Sequence, residues 1–397
     1  MYKMRDVVIA SAARLGVGRL GGTLLHTEEV DMAVAVIKEA MKRANNFDYK
    51  KVDELVMGQN FRTGILNSNC ARIFAIEAGF PHEMPQFTLN KHCGAGIKTV
   101  TYAYQAIRSE TADVIMTGAI DQMSKACHFV PGARWGVKVG HLNLIDQLVM
   151  RDYISNLSMI QSNEKLASEY HISREEQDEY AVLSENKAEK AIKNGEFKEE
   201  IVPLEINNRG SSYMFEQDEC PRFGTNLKSL SLLKPIEVGG TITAGNASSM
   251  SDGAAALLVM SGEKAKEYDI QPLAKILSFS YVGVDPSLFG IAPVPAIKNA
   301  LKDADLTMDD IDLIELNEAF ASQTIYCLKK FKIAPDSEKL NINGGAIAFG
   351  HPIAATGAVI LTKLLYSLKK KKKRYGLAAM CIGGGQGIAI IVDTKVD

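Results

Sequence analysis

What the sequence lacks narrows it first. No run of about 18 apolar residues occurs anywhere in the 397 residues, so no segment reads as a membrane-crossing helix. Neither charge sign dominates: 45 Lys and Arg against 47 Asp and Glu leave a formal net charge of −2, which gives no global field to draw nucleic acid or anionic lipid. Cysteine is sparse, with six residues (Cys70, Cys93, Cys127, Cys220, Cys327 and Cys381) scattered along the chain, whereas disulfide scaffolds are short and cysteine-dense. Neither a CxxC pair nor zinc-type histidine spacing is present, which argues against a zinc protein. The N-terminus runs from Met1-Tyr2-Lys3-Met4-Arg5-Asp6 straight into an apolar Val7-Val8-Ile9-Ala10, leaving no room for a secretory or Arg-rich leader. Lys395-Val396-Asp397 at the other end matches no common address signal. A cytoplasmic protein is expected, with neither nucleic acid nor membrane as partner.

What is present reads as an α/β protein of two to three structural units. Short β-branched runs alternate with helix-period segments. Strands are expected at Val7 to Ala10, Glu54 to Gly58, Asp113 to Thr117, Ala254 to Met260, Ala274 to Val282, Asp312 to Glu315, Gly376 to Met380 and Gly387 to Val392. Helices are expected at Asp31 to Arg43, Gly96 to Arg108 and Ala358 to Leu368. Residues 121–250 are more polar and irregular, and read as a large insertion between strands. Inside it, Ser173 and Glu176 form a capping-box pattern that opens a helix ending at Gly195.

Spacing suggests a duplication. Asp53 opens a strand and Cys93 follows 40 residues later; Asp312 opens another and His351 follows 39 residues later. Each reactive residue precedes a helix in its own half, so two α/β units are expected to share one site.

Five clusters carry candidate chemistry. In Asn90-Lys91-His92-Cys93-Gly94-Ala95-Gly96, a cysteine sits at a helix N-terminus, where free N–H groups and the helix dipole favour its thiolate. The alternative is a small buried apolar residue. Asn343 to Pro352 sets His351 in glycine, as a base or oxyanion donor or as a structural turn histidine. Cys381-Ile382-Gly383-Gly384-Gly385 ends a strand in a loop that can present N–H groups to an oxyanion, or is a plain turn. Asn317-Glu318-Ala319-Phe320 offers a cap or a water-holding amide. Gly240 to Ser249 is a small-residue loop suited to an extended ligand, or a hairpin. Lys369 to Lys373 with Arg374 follows a helix and reads as a solvated basic end, not a nucleic-acid patch. Trp135 reads as an anchor of the insertion to the core.

Taken together and in this order, the clusters resemble the thiolase family over essentially the whole chain, with Ser11-Ala12-Ala13-Arg14, Gly21-Gly22 and Asn69-Cys70-Ala71-Arg72 adding to the likeness. The resemblance implies a thiolase fold, two duplicated α/β halves in a five-layered αβαβα core. Residues 1–120, completed by about 251–272, would form the first half, 121–250 a loop domain binding coenzyme A, and 273–397 the second half. It also implies a homo-oligomer, dimer or tetramer, with no tightly bound cofactor and no metal; coenzyme A and acyl-CoA enter as substrates.

By the same resemblance Cys93 is the acyl-accepting nucleophile, Cys381 the acid/base, and His351 the activator of Cys93. His351, with a water on Asn317, would stabilise an enolate oxygen. The N–H groups of Cys93 and Gly383 would form a second oxyanion hole. Ser248 would contact the pantetheine arm and Arg222 and Ser229 the adenosine end, with Ala244 and Met159 as further coenzyme A contacts. Ala319 and Phe320 would wall the reacting thioester. The chemistry fits the residue types: one cysteine that stores the acyl group cannot also move protons, so a second, unacylated one is needed.

The sequence departs from the family pattern at Ala354, Ser249, Cys220, Ser158-Met159-Ile160 and Gly118-Ala119-Ile120-Asp121-Gln122-Met123-Ser124, which marks a divergent member. Added side chains at Ser249 and Ala354 are expected to narrow the site or shift its loops. Related condensing enzymes pair the cysteine with two histidines, His and Asn, or Glu, so Cys381 favours a thiolase. A binder of acyl-CoA without catalysis is the competing class.

Overall fold

The computed structural model describes residues 5–64, 69–136, 138–208 and 210–396. Its first strand, β1 (Val7–Arg14), is buried along its whole length, as a strand covered on both faces must be. Val7 and Ile9 face one core cluster and Val8 and Ala10 the other. A register shift between Ile9 and Ser11 then flips the parity, so that Ala12 returns to the first cluster and Ala13 to the second.

In chain order there follow α1 (Glu29–Arg43), β2 (Glu54–Gly58), α2 (Cys70–Ala78), β3 (Gln86–Leu89), α3 (Ala95–Arg108) and β4 (Val114–Gln122). A long insertion carries α4 (Met159–Glu169) and α5 (Arg174–Lys193) before β5 (Ser251–Ser261). The remainder is β6 (Ala274–Gly283), α6 (Pro293–Asp303), β7 (Leu313–Leu316), α7 (Ala321–Phe331), α8 (Thr356–Lys371), β8 (Tyr375–Ile382) and β9 (Gln386–Asp393). Every expected strand is present, several running longer than the apolar pattern indicated because Ala, Ser and Gly extend them without branched side chains.

The main path of the sheet is β7-β8-β9-β6-β1-β5-β4-β2-β3. Its two halves follow one plan: β2 and β4 are parallel and β4, β5 and β1 successively antiparallel; β7 and β8 are parallel and β8, β9 and β6 successively antiparallel. Even β3, parallel to β2, has a vestige in the second half, a parallel bridge from Ile314 to Leu340. The halves meet where β1 pairs β6 at Val8–Lys275 and Ile9–Ala274.

Three core clusters separate five layers. One lies between α1, α2 and the first half of the sheet, a second holds α3 and α8 between the two halves, and a third joins the second half to α6 and α7. In the middle layer Gly96 and Gly357 bring α3 and α8 into backbone contact. A Cβ on Gly96 would lie 2.2 Å from the Ala358 nitrogen, and one on Gly357 2.7 Å from that of Ile97. Because Cys93 and His351 each stand just before one of these helices, their crossing brings the two residues together.

Trp135 does not tie the insertion to the core: its side chain is 86% exposed. Arg14 does so instead, reaching from β1 to Glu200 and Asp218 at 2.7 Å each, all three buried. The basic run near the end of α8 meets local partners, Lys369 to Glu199 at 3.3 Å and Lys370 to Glu196 at 2.7 Å. No described helix is long and apolar enough to cross a membrane.

Candidate active site

Cys93 lies in a tight turn, His92–Gly94, that leads directly into α3. His92 adopts a left-handed φ of 46°, an uncommon conformation for a non-glycine residue. It is held there by its own N–H donating to Asn90 Oδ1 at 2.9 Å and by its ring nitrogen 2.7 Å from Asn60 Oδ1. The Cys93 sulfur is 3.2 Å from Nε2 of His351. His351 is buried; its N–H donates to the Ser249 carbonyl at 2.9 Å, and its Nδ1 is 2.6 Å from Thr356 Oγ1. With the Nδ1 proton given to Thr356, Nε2 presents a lone pair to the Cys93 thiol.

Burial decides the charge state of this pair. It pushes the Cys93 thiol up to about 12, although the N–H groups of Gly383 and of Cys93 itself pull the other way, and it pushes His351 down to about 4. The stabilised thiolate expected from the helix N-terminus is therefore not the resting form. Desolvation outweighs the helix end, and the pair rests as thiol and neutral imidazole, with the imidazole ready to accept the proton. The Gly383 N–H already acts on this sulfur, where Gly383 was expected to contribute an oxyanion donor.

Cys381 is the penultimate residue of β8 and is fully buried. Desolvation first, then the neighbouring Cys93 and Cys327, raise its thiol well above the ordinary range. Around it close Phe289, Ala319, Phe320 and Met159. Asn317, at the end of β7, is also buried, and neither atom of its carboxamide has a hydrogen-bond partner among the described residues. An orphaned buried amide is costly unless water or ligand meets it.

Three carboxylates hold the loops in place. Asp121 accepts N–H groups from Asn60 at 2.9 Å, Phe61 at 3.0 Å and Ala354 at 2.6 Å, tying the end of the His351 turn to the loop after β2. Glu318 accepts from Tyr180 at 2.8 Å, Ser184 at 2.6 Å and Asn341 at 2.7 Å, which locks the Gly345 turn against α5. Lys363 donates to the Gly344 carbonyl at 2.7 Å and lies 3.5 Å from Glu315, buried with it.

The departures noted in the sequence resolve differently from one another. Ala354 packs into the central core, and its added methyl does not narrow the site. Ser249 receives the His351 N–H through its carbonyl, a contact any residue could make. The Cys220 sulfur is 3.7 Å from Ser251 Oγ, under Gly350, whose φ of 90° and lack of a Cβ admit the crowding. Ser158 caps α4 in a capping box with Gln161.

Of the proposed coenzyme A contacts, Ser248 donates through both N–H and Oγ to the Ala319 carbonyl at 3.0 Å, which joins the Gly240 to Ser249 loop to the Cys381 wall. Arg222 lies 2.8 Å from Glu185 and donates to the Ala244 carbonyl at 2.9 Å. Ser229 serves its own short helix in a reciprocal cap with Asn226, and no bond draws it to Arg222. Sequence reasoning missed Thr356, Phe289 and a second apolar wall in which Phe61, Met123, Ile353, Leu148 and Met150 pack with Cys93. Thr356 had a signal, a hydroxyl five residues beyond His351 at a helix start; the walls had none.

Comparison with known proteins decides the family. Residues 7–263 match the model of the thiolase N-terminal domain and residues 270–394 that of the thiolase C-terminal domain. The chain belongs to the thiolase family. An acetyl-CoA acetyltransferase of Cupriavidus necator is 46% identical, covering 99% of this chain and 100% of its own. The crystal structure of the Bacillus anthracis acetyl-CoA acetyltransferase superposes with a TM-score of 0.95 at 38% identity, covering 99% of this chain and 100% of that one. Human mitochondrial 3-ketoacyl-CoA thiolase in complex with CoA superposes at 0.94 with 36% identity, covering 98% of each chain. As a thiolase-family acyltransferase, the chain has the expected five-layered fold and a site formed by loops from both halves.

Proposed function

We propose that this protein catalyses reversible, CoA-dependent cleavage of a 3-ketoacyl-CoA to acetyl-CoA and a shortened acyl-CoA, or in reverse the condensation of two acetyl-CoA to acetoacetyl-CoA. The observation that carries the reading is the Cys93 sulfur 3.2 Å from His351 Nε2, beside a second buried cysteine with no disulfide. His351 takes the Cys93 proton as the sulfur attacks the ketone carbon, and the Cys93 and Gly383 N–H groups receive the developing oxyanion. The carbon–carbon bond then breaks, and the acetyl-CoA enolate, its oxygen facing His351 and an Asn317-bound water, takes a proton from Cys381. Coenzyme A gives its thiol proton to the Cys381 thiolate and attacks the acyl-cysteine; the shortened acyl-CoA leaves, and the expelled Cys93 sulfur takes back its proton from His351. Storing the acyl group between half-reactions gives ping-pong kinetics.

We assign residues 1–120 with 251–272, and 273–397, to the two catalytic halves and 121–250 to a loop domain that holds coenzyme A. Ser248, Arg222, Ala244 and Met159 are its proposed contacts, with Ser229 at the adenosine end. A homo-oligomer, dimer or tetramer, is proposed from the insertion's exposed apolar side chains, among them Trp135 and Tyr153. The free, scattered cysteines support a reducing, cytoplasmic location.

Thiolysis of a series of 3-ketoacyl-CoA esters, followed by loss of enolate absorbance beside a Cys93→Ala control, tests the reading. Turnover that disappears in the control supports it and ranks chain lengths. Coenzyme A binding without turnover of any ester would overturn it in favour of a non-catalytic acyl-CoA binder.

A further inference from the structure

The acid/base role proposed for Cys381 requires a buried sulfur to hold a proton in one half-reaction and release it in the next. Its only described side-chain hydrogen-bond partner is Gln323 on α7, whose Oε1 lies 3.8 Å from the Cys381 sulfur. Gln323 is itself fully buried, and its Nε2 donates to the sulfur of Cys327, one turn further along the helix, at 3.7 Å. The carboxamide is thus set between two thiols, with its acceptor toward Cys381 and its donor toward Cys327. Cys327 is buried as well, in the core cluster that α7 forms with the second half of the sheet.

The backbone fixes this placement. Gly290 passes so close that a Cβ there would meet Leu166 Cδ1 at 2.8 Å, Asn163 Oδ1 at 3.0 Å and Gln323 Cβ at 3.2 Å. The stem of Gln323 is thereby confined, which holds its amide between the two sulfurs. A carboxamide can accept from a thiol through its oxygen and, after a half-turn, donate to the thiolate through its nitrogen.

We propose that Gln323 is a positioning residue for proton transfer at Cys381, accepting the S–H in the resting enzyme and offering N–H to the thiolate that forms. The inference rests on the acyl-transfer reading above. The step it serves is balanced. When a first acetyl-CoA acetylates Cys93, the departing coenzyme A takes the Cys381 proton; the Cys381 thiolate so formed then takes a proton from the methyl carbon of a second acetyl-CoA, the C–H bond breaking as the S–H bond forms and the electron pair remaining on the substrate as enolate.

Exchange of acetyl-CoA methyl protons with deuterated solvent reads this step. Gln323→Met keeps the volume but removes both hydrogen-bonding atoms. It is expected to slow exchange about tenfold, the loss of one buried hydrogen bond at the transferring atom, with the KM for acetyl-CoA unchanged. Alkylation of Cys93 by iodoacetamide should proceed at the unsubstituted rate, as the Cys93–His351 pair is untouched. Gln323→Glu, which when protonated restores an acceptor and a donor, should recover exchange toward low pH. Exchange in Gln323→Met equal to that of the unsubstituted protein would overturn the inference. So would a fall in exchange matched by slower Cys93 alkylation and a higher KM, which would mark Gln323 as merely structural. Absence of exchange in the unsubstituted protein would instead overturn the acyl-transfer reading on which the inference stands.

Discussion

Asp121 sets burial directly against hydrogen bonding. It is wholly buried and accepts three backbone N–H groups, which favour its charged form, yet desolvation dominates and raises its carboxyl to about 7 from 3.8. A carboxyl raised in the folded state holds its proton there while the unfolded chain releases it. The stability it contributes is therefore full below about pH 4 and is lost as pH rises to about 7. Asp121→Asn keeps an oxygen for Asn60 and Phe61 but sets an amide N–H against that of Ala354, at a cost of about 1–3 kcal/mol. Measured by urea unfolding across that pH range, the advantage of the unsubstituted protein should be greatest at the acid end, fall by about 1.4 kcal/mol per pH unit above pH 4, and reverse before neutrality. Titrating groups that do not interact with Asp121 cancel in the difference. An advantage that grows with pH would show that the three donors win over burial, and would refute the reasoning.

Other consequences are as direct. Because the Cys93 thiol and His351 rest neutral, Cys93 alkylation should rise about tenfold per pH unit above neutrality; a plateau through the acid range would reveal a thiolate–imidazolium pair instead. Gly345→Ala would place a Cβ 2.1 Å from the Glu318 carboxyl carbon; it should destabilise the protein by about 1–3 kcal/mol and slow turnover by shifting the His351 loop, both seen by comparing melting and steady-state rates. Arg14→Met leaves Glu200 and Asp218 buried without their cation and should cost about 3–5 kcal/mol in denaturant unfolding. His351→Ala should lower thiolysis by a factor of about 10²–10⁴ in steady-state assays.

Much of this was legible because the reactive residues lie in short segments whose local chemistry is distinctive. Cys93 in its glycine-flanked turn, His351 before a helix and Cys381 at a strand end all stand where the sequence placed them. The near-equal spacings from Asp53 to Cys93 and from Asp312 to His351 correspond to a repeat visible in strand order. What could not be read is set by distant contacts. The central core between α3 and α8 and the apolar wall of Phe61, Met123 and Ile353 together desolvate Cys93 and reverse the expected thiolate. Phe289, Leu148 and Met150 reach the site from separate loops, with no periodicity to mark them. Trp135 misled because a lone tryptophan is more often an anchor than an exposed side chain, while the anchoring fell to Arg14, a charged residue inside an apolar strand.

The central claim is that Cys93 carries the acyl group. The most direct measurement is incubation of the protein with acetyl-CoA, acid quenching, and mass spectrometry of the peptide containing Cys93. One acetyl group is expected on Cys93, discharged by added coenzyme A and missing in Cys93→Ala. Acetylation on another residue, or none while coenzyme A demonstrably binds, would contradict it.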